Sequence, residues 1–246
     1  MHCAVVGQPI AHSLSPAMHR AAYAQLGLGW SYEAVEIESG SLAQFVDQLD
    51  STWRGLSVTA PLKNEAARIA QGTDDFVKAT NAANTLVFGD EISGYNTDIP
   101  GALNALAERQ IESARHVTIL GAGATARSMV EVAKRLNARE IVVLARRVDQ
   151  ARELSSNAFE LGHEIEHTDL LINTIPSSAI GQVNYAAAVF DVNYSPWPSP
   201  LANSGQTFIS GIDLLAHQAV LQVQLMTHRE VPVELLKRAA LAVLGE

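Results

Sequence analysis

The sequence predicts an α/β protein, and three observations carry that prediction. First, residues 116–147 (HVTILGAGATARSMVEVAKRLNAREIVVLARR) contain two short apolar runs around a glycine turn and a helical pattern. Strand, glycine turn, helix and strand in that order make one βαβ unit. Second, short apolar or alternating runs take turns with helically spaced segments along the rest of the chain. Third, 48% hydrophobic and 17% charged residues describe a compact globule, and 246 residues allow one large or two modest domains.

Composition also removes some classes of function. A formal net charge of −9 without an evident basic face argues against nucleic-acid binding. The single cysteine, Cys3, cannot close an internal disulfide, which suits a reducing compartment, and its apolar strand setting makes it a buried small side chain. The N-terminus lacks the basic-then-apolar layout of a signal peptide, and no apolar run is long enough to span a bilayer. A cytoplasmic protein without membrane partners or a metal is expected.

Residues 3–7 read as a strand ending in a glycine turn. His12, Ser13 and Ser15 then crowd before Pro16, which suits the first turn of a helix running to about Leu26. Ser15 as an N-cap explains one serine, and the second hydroxyl suits a small polyol or carboxylate ligand. Tyr32 to Ile37 alternates as a strand does, and 41–50 reads as a helix. Leu56 to Thr59 is a strand, and Pro61 opens a helix with Lys63 near its start. A lysine there opposes the helix dipole by only a few tenths of a kcal/mol, so the placement is either incidental or functional. Thr85 to Phe88 turns at Gly89-Asp90 into a hairpin whose second strand runs out at Tyr95. Asp98 follows, readable as an N-cap for the helix through Leu103 and Leu106 or as a functional carboxylate.

In the βαβ unit, Gly121 permits the tight turn, and Gly123 lets backbone amides approach a pyrophosphate at the positive end of the helix. Ala126 is small enough for close helix–strand packing. The second strand ends Ala145-Arg146-Arg147 with no carboxylate to hold a ribose 2′-hydroxyl. A guanidinium fork suits a 2′-phosphate instead, so the dinucleotide is expected to be NADP. Next, 148–161 reads as a helix and 169–175 as a buried strand whose end, Asn173-Thr174, lies at the edge where open α/β sheets bind ligands. Ala187 to Val192 is another strand, with Tyr194 in the proline-rich loop after it, and Thr207 to Ser210 is the last. Helices are expected over 213–228, with Gln218 either facing solvent or reaching inward, and over 232–244.

The blocks GQPIAHSLSPAMH, SVTAPLK, NAANTL, GYNTD, GAGATA, NTIP, DVNYSPWPSPL and HQA occur in this order between about residue 4 and residue 232. Together they resemble the shikimate dehydrogenase family. The resemblance implies two α/β domains with substrate in the cleft between them. Residues 1–99 plus 216–246 would form an N-terminal substrate domain to which the C-terminal helices return. Residues 100–215 would form a Rossmann-type NADP-binding domain. The implied reaction is the reversible, NADP-dependent reduction of 3-dehydroshikimate to shikimate, a step of aromatic amino-acid biosynthesis. Position by position, Lys63 and Asp98 match the catalytic pair, and Ser13, Ser15, Thr59, Asn84, Tyr194 and Gln218 match substrate contacts. Gly121, Ala122, Gly123, Ala124, Ala126, Arg146, Arg147, Thr174, Gly211 and Leu214 match the cofactor site. A homodimer is compatible with the sequence but not specified by it.

Four positions depart from the family pattern. Ser57 stands where an asparagine that touches substrate is usual, so one polar contact is expected to be shorter or passed through water. Asn81 replaces a usual glycine, and Ile99-Pro100 replaces a glycine-bearing sequence. Asp213 replaces a glycine before the segment expected to meet the nicotinamide, where its charge would weaken cofactor binding. Two rivals follow: an NAD-preferring quinate/shikimate dehydrogenase, and a non-catalytic paralogue that binds the nucleotide or shikimate-like ligands.

Overall fold

Two six-stranded sheets organise the described residues, 1–165, 167–176, 179–180 and 186–246, of this computed structural model. The chain divides into two units, Met1–Gly101 with Leu215–Glu246, and Ala102–Leu214.

The first unit begins with β1 (His2–Gly7), α1 (Ser15–Gln25), β2 (Ser31–Glu36), α2 (Leu42–Asp47), β3 (Trp53–Val58) and α3 (Lys63–Ile69). It continues through β4 (Gly72–Thr73), α4 (Asp75–Thr80), β5 (Thr85–Phe88) and β6 (Ile92–Tyr95) into α5 (Asp98–Glu108). Its sheet order is β2-β1-β3-β5-β6-β4. β1 pairs in parallel with β2 and β3, while β3, β5 and β6 run antiparallel through the hairpin that turns after Phe88. Ala4, Val6, Leu56, Val58 and Leu86 are buried together under Leu42, Leu62 and Ala66. Burial of these strand residues is the main force that seats the helices. α4 and β4, which the sequence pattern does not announce, fill the link between α3 and the hairpin. Asp74 caps α4 by accepting from Val77 N–H at 2.7 Å, and Asn81 closes it with a left-handed φ of 50°. Asparagine tolerates that conformation better than other side-chain-bearing residues, which explains how it replaces a glycine here.

The second unit holds β7 (His116–Leu120), α6 (Ala124–Arg135), β8 (Glu140–Ala145), α7 (Val148–Arg152), β9 (Asn157–Glu160), β10 (Thr168–Asn173), β11 (Ala186–Asp191) and β12 (Gly205–Ile209). Its order, β12-β11-β10-β7-β8-β9, is all parallel and reverses direction between β7 and β10. This is the doubly wound arrangement whose reversal point opens a ligand crevice. The expected helix over 148–161 is corrected: α7 stops at Arg152, and 157–160 pair with β8 as an edge strand. Ser155 ends the helix by donating to Ile141 O at 2.7 Å and accepting from Asn157 N–H at 3.1 Å. The last two helices are α8 (Gly211–Thr227) and α9 (Val233–Leu244). Ser210 and Asp213 form a capping box at the start of α8. Ser210 N–H and Oγ donate to Asp213 Oδ2 at 3.0 and 2.8 Å, and Asp213 N–H donates back to Ser210 Oγ at 3.1 Å. No helix of the described residues is long and apolar enough to cross a membrane.

Candidate active site

In the first unit, element ends converge on one polar cluster. Lys63, the first residue of α3, donates from Nζ to Asp98 Oδ2 at 2.5 Å, and both side chains are about nine-tenths buried. Asp98 is not the N-cap of α5: it lies within the first turn, and Asn96 Oδ1 accepts its N–H at 3.2 Å. Its carboxylate is therefore free to serve Lys63 and, through Oδ1, the amide of Asn84 at 2.8 Å. Asn84 sits just before β5, and its orientation follows from its neighbours. Thr97 N–H can only donate and reaches Oδ1 at 2.8 Å, so Nδ2 must face Asp98 and Gln218. Gln218 is buried, which settles the alternative left open by the sequence. Its Oε1 accepts from Asn84 Nδ2 at 3.3 Å and Thr97 Oγ1 at 3.2 Å, while its Nε2 donates to Leu215 O at 2.9 Å.

Gln218 reaches Asn84 because Gly101 lets α5 and α8 pass closely. A Cβ at Gly101 would lie 2.8 Å from both the Cβ and the main-chain nitrogen of Gln218. Ser15 begins α1 and is buried, and Ser13, half-buried, accepts from its N–H at 3.4 Å. Thr59 directly follows β3, its N–H held by Val6 O at 2.9 Å. Gly7 makes room for it, since a Cβ there would meet Thr59 Cγ2 at 2.4 Å. The cluster thus joins Lys63, Asn84, Asp98 and Gln218 directly, with Ser13, Ser15 and Thr59 on the same unit. Tyr194, half-buried in the loop after β11, belongs to the second unit.

The Ser57 hydroxyl is engaged within the first unit. Its hydroxyl accepts from Tyr32 Oη at 2.6 Å and donates to Gln222 Oε1 at 2.7 Å. His19 Nε2 lies 3.2 Å from the same Oε1, and its ring stacks on Tyr32 at 4.1 Å. The motifs do not include Gln222, and His19 enters them only as the last residue of GQPIAHSLSPAMH, with no role attached. The available signal is that Gln222 follows Gln218 by four residues, which puts both amides on one helix face.

The second unit carries the glycine turn. Gly121 has φ +112°, and a Cβ there would strike Thr174 Oγ1 at 2.3 Å. Only glycine fits both restraints. Thr174 holds the turn from β10 by donating Oγ1 to Leu120 O at 2.6 Å. Gly123 is the N-cap of α6 and supplies no side-chain cap, no acid occupies the first turn, and a Cβ on Gly123 would enter open space. Uncapped amides at a helix start beside open space suit a diphosphate. These glycines, Arg146, Arg147, Ile175 and Pro176 line a cavity of about 670 Å³. Both guanidinium-bearing residues are exposed at the carboxyl end of β8, so the residues present fit an NADP whose 2′-phosphate lies at that strand end. Ala122 and Ala124 flank Gly123, and Ala126 is buried under the first turn of α6. Gly211 lies 2.5 Å (from a built Cβ) to the main chain of Asn193, and Leu214 is buried. Asp213 is committed to the capping box and lies 3.8 Å from Arg109 Nη2, so its charge is partly met within the unit. At the opposite, amino ends of β7 and β10, His116, His167 and Asp169 bring possible ligand atoms within 4.8 Å. There the Asp169 carboxylate already accepts from Arg115 N–H, His116 N–H and the His167 ring, which makes it a strand cap.

The chain is similar to known proteins over nearly its whole length. The profile of the shikimate dehydrogenase substrate binding domain matches residues 5–86, and that of the shikimate 5′-dehydrogenase C-terminal domain matches 211–241. The shikimate dehydrogenase (NADP(+)) of Methanosarcina mazei is 33% identical, the match covering 98% of this chain and 97% of that one. The chain belongs to the shikimate dehydrogenase family. Among other family members, the Geobacter metallireducens shikimate dehydrogenase (NADP(+)) is 30% identical over 98% of this chain and 96% of its own. The crystal structure of Mycobacterium tuberculosis shikimate dehydrogenase matches with a TM-score of 0.86 at 33% identity, covering 98% and 99% of the two chains. That of the Thermus thermophilus shikimate 5-dehydrogenase, in complex with NADP(H) and shikimate, gives 0.86 at 28% identity, again covering 98% and 99%.

Proposed function

We propose that this chain catalyses the reversible, NADP-dependent reduction of 3-dehydroshikimate to shikimate. The observation that carries the reading is the buried Lys63–Asp98 pair, tied through Asn84 to Gln218, in a member of this family. NADPH held at the glycine turn and the arginine-bearing strand end would supply the hydride. The chain's own task is to orient the substrate and manage one proton. As the substrate carbonyl is reduced, negative charge grows on its oxygen, and the Lys63 ammonium stabilises that charge and donates the proton. In the reverse direction Lys63 takes the proton of the shikimate hydroxyl. Asp98 holds Lys63 in place and offers an acceptor to a substrate hydroxyl. Asn84, Gln218, Ser13, Ser15, Thr59 and Tyr194 supply the remaining donors and acceptors that select one ring polyol over another.

The same reading assigns residues 1–99 plus 216–246 to substrate, 100–215 to NADP, and the cytoplasm as location. The close agreement of the two compact units with that division and the unpaired Cys3 support it. The test is formation of NADPH from shikimate, with quinate as the second substrate and NAD as the second cofactor. Turnover of shikimate with NADP well above the other three combinations is expected. Greater kcat/KM with NAD would overturn the cofactor assignment, and silence in all four would sink the enzymatic reading.

A further inference from the structure

Gln222 lies outside every sequence block that points to the active site, yet each polar atom of its side chain is hydrogen-bonded there. It is 1% exposed. The main-chain oxygen of Asn84 can only accept, so the Gln222 amino group must face it, at 3.1 Å. The second amino hydrogen goes to Thr85 Oγ1 at 2.9 Å, and Thr85 passes its own hydrogen to Asn84 Oδ1 at 2.9 Å. Oε1 therefore faces the other way and accepts from Ser57 Oγ and His19 Nε2. Both hydrogens and both lone pairs of the amide are used, on partners from α1, β3 and the start of β5. Burying an amide is unfavourable unless each polar atom is met, and an apolar side chain would fill the same space without that demand. The two ends of Asn84 are thus gripped by one face of α8: Gln218 at its side chain and Gln222 at its main chain.

We propose that Gln222 is a positioning residue, which fixes Asn84 from α8 so that the Asn84 amide holds Asp98, and through it Lys63, in register. In the same arrangement Gln222 takes up the Ser57 hydroxyl, so Ser57 contributes to the site through Gln222 and not by touching substrate. This rests on the assignment of Lys63 and Asp98 as the acid–base pair made above.

The test is steady-state kinetics with shikimate and NADP, alongside thermal stability, for the whole chain carrying Gln222→Met, Gln222→Ala, Ser57→Asn, or the last two together. Gln222→Met keeps the volume and removes all four hydrogen bonds. It should lower kcat/KM for shikimate roughly tenfold or more, the scale of a small misplacement of catalytic groups, while KM for NADP stays unchanged. Ser57→Asn alone crowds an amide against Gln222 and lowers kcat/KM. Placed in Gln222→Ala, the same asparagine returns an amide to the vacated space and recovers most of the loss. A stability defect with wild-type kcat/KM in Gln222→Met marks Gln222 as a core filler and overturns the proposal. Should Gln222→Met not fold, additive losses from Ser57→Asn and Gln222→Ala overturn it, and mutual rescue upholds it. A wild-type chain without turnover would refute the function proposed above and not this one. The shikimate-induced rise in melting temperature then serves as the readout, and its persistence in Gln222→Met overturns the positioning role.

Discussion

Lys63 and Asp98 are each about nine-tenths buried, so neither is comfortable without the other. Removing one partner of a buried ion pair typically costs about 3–5 kcal/mol, a large part of the roughly 5–15 kcal/mol that holds a domain folded. In Lys63→Ala the Asp98 carboxylate keeps the Asn84 amide as a donor, which places the expected loss near the lower end of that range. The variant should fold, melt at a lower temperature, and lose roughly 10²–10⁴ in kcat, the scale of acid–base assistance. A folded Lys63→Ala with near-wild-type kcat removes Lys63 from the mechanism. For the cofactor, the double variant Arg146→Ala/Arg147→Ala strips both guanidinium groups from the strand end. Charge-assisted hydrogen bonds are worth about 1.5–3 kcal/mol, so KM for NADP should rise roughly tenfold or more while KM for NAD changes little. An equal rise for both cofactors would place the 2′-phosphate elsewhere. At this scale the sequence exposes residue types well and their partners poorly. Lys63 is visible as a lysine against a helix dipole, but the carboxylate that explains it lies 35 residues away. Gln222 gives no such local misfit, because an amide among apolar neighbours reads as one polar position on an otherwise buried helix.

Two helices bring distant contributions together, and their close approach depends on a residue with no side chain. Gly101→Ala gains up to about 1 kcal/mol of helix propensity in α5. Against that, the new methyl meets the main chain of Gln218 at 2.8 Å, and overpacking of this kind costs about 1–3 kcal/mol because a helix backbone cannot turn aside. The steric cost prevails, so the variant should be less stable, with a higher KM for shikimate as Gln218 moves from Asn84. A KM unchanged in a less stable protein would separate Gln218 from substrate binding. The same scale shows which elements announce themselves. β7, β8 and β10 are buried on both faces and therefore read as continuous apolar runs. β9, Asn157-Ala158-Phe159-Glu160, is a four-residue edge strand whose polar ends blend with the preceding helix pattern. Its pairing with β8 comes from the finished sheet, and no local period records it. Nor does local pattern announce α4, where Asp74 serves the helix and, through Oδ2, the N–H of Asn96 at 3.2 Å.

At the scale of the whole chain, His19 contributes to the response to acid. The imidazole is fully buried between Tyr23 and Tyr32, with Gln222 as its polar neighbour, and burial lowers its pKa from 6.5 to about 4 despite the hydrogen bond to Gln222. Between those values the unfolded chain holds a proton that the folded chain refuses. Stability therefore rises with pH across this window and falls as pH drops from 6.5 toward 4, by an amount on the order of 3 kcal/mol. Denaturant titrations of the wild type and His19→Leu across that window should show a shallower acid slope in the variant. Equal slopes would mean that another group carries the loss. The depressed carboxyls of Glu131 and Asp169 act lower, since their stabilisation is lost only as pH falls through pKa values below the ordinary 4.5 and 3.8.

The division of the chain also sets a timetable. Residues 102–214 form a unit inserted between Gly101 and Leu215 of the other, so Gln222 follows Asn84 in the chain by 138 residues. At ribosomal rates of about 5–20 residues per second, the nascent chain carries Asn84 for on the order of ten seconds before its partner amide is made. α1 waits longer still, because it packs on α9, the last helix. The inserted unit, although its first residue is made after the other unit has begun, is the first to have all its residues synthesised. Birth order and completion order are therefore reversed, and the substrate-side polar cluster closes only when the final helices leave the ribosome.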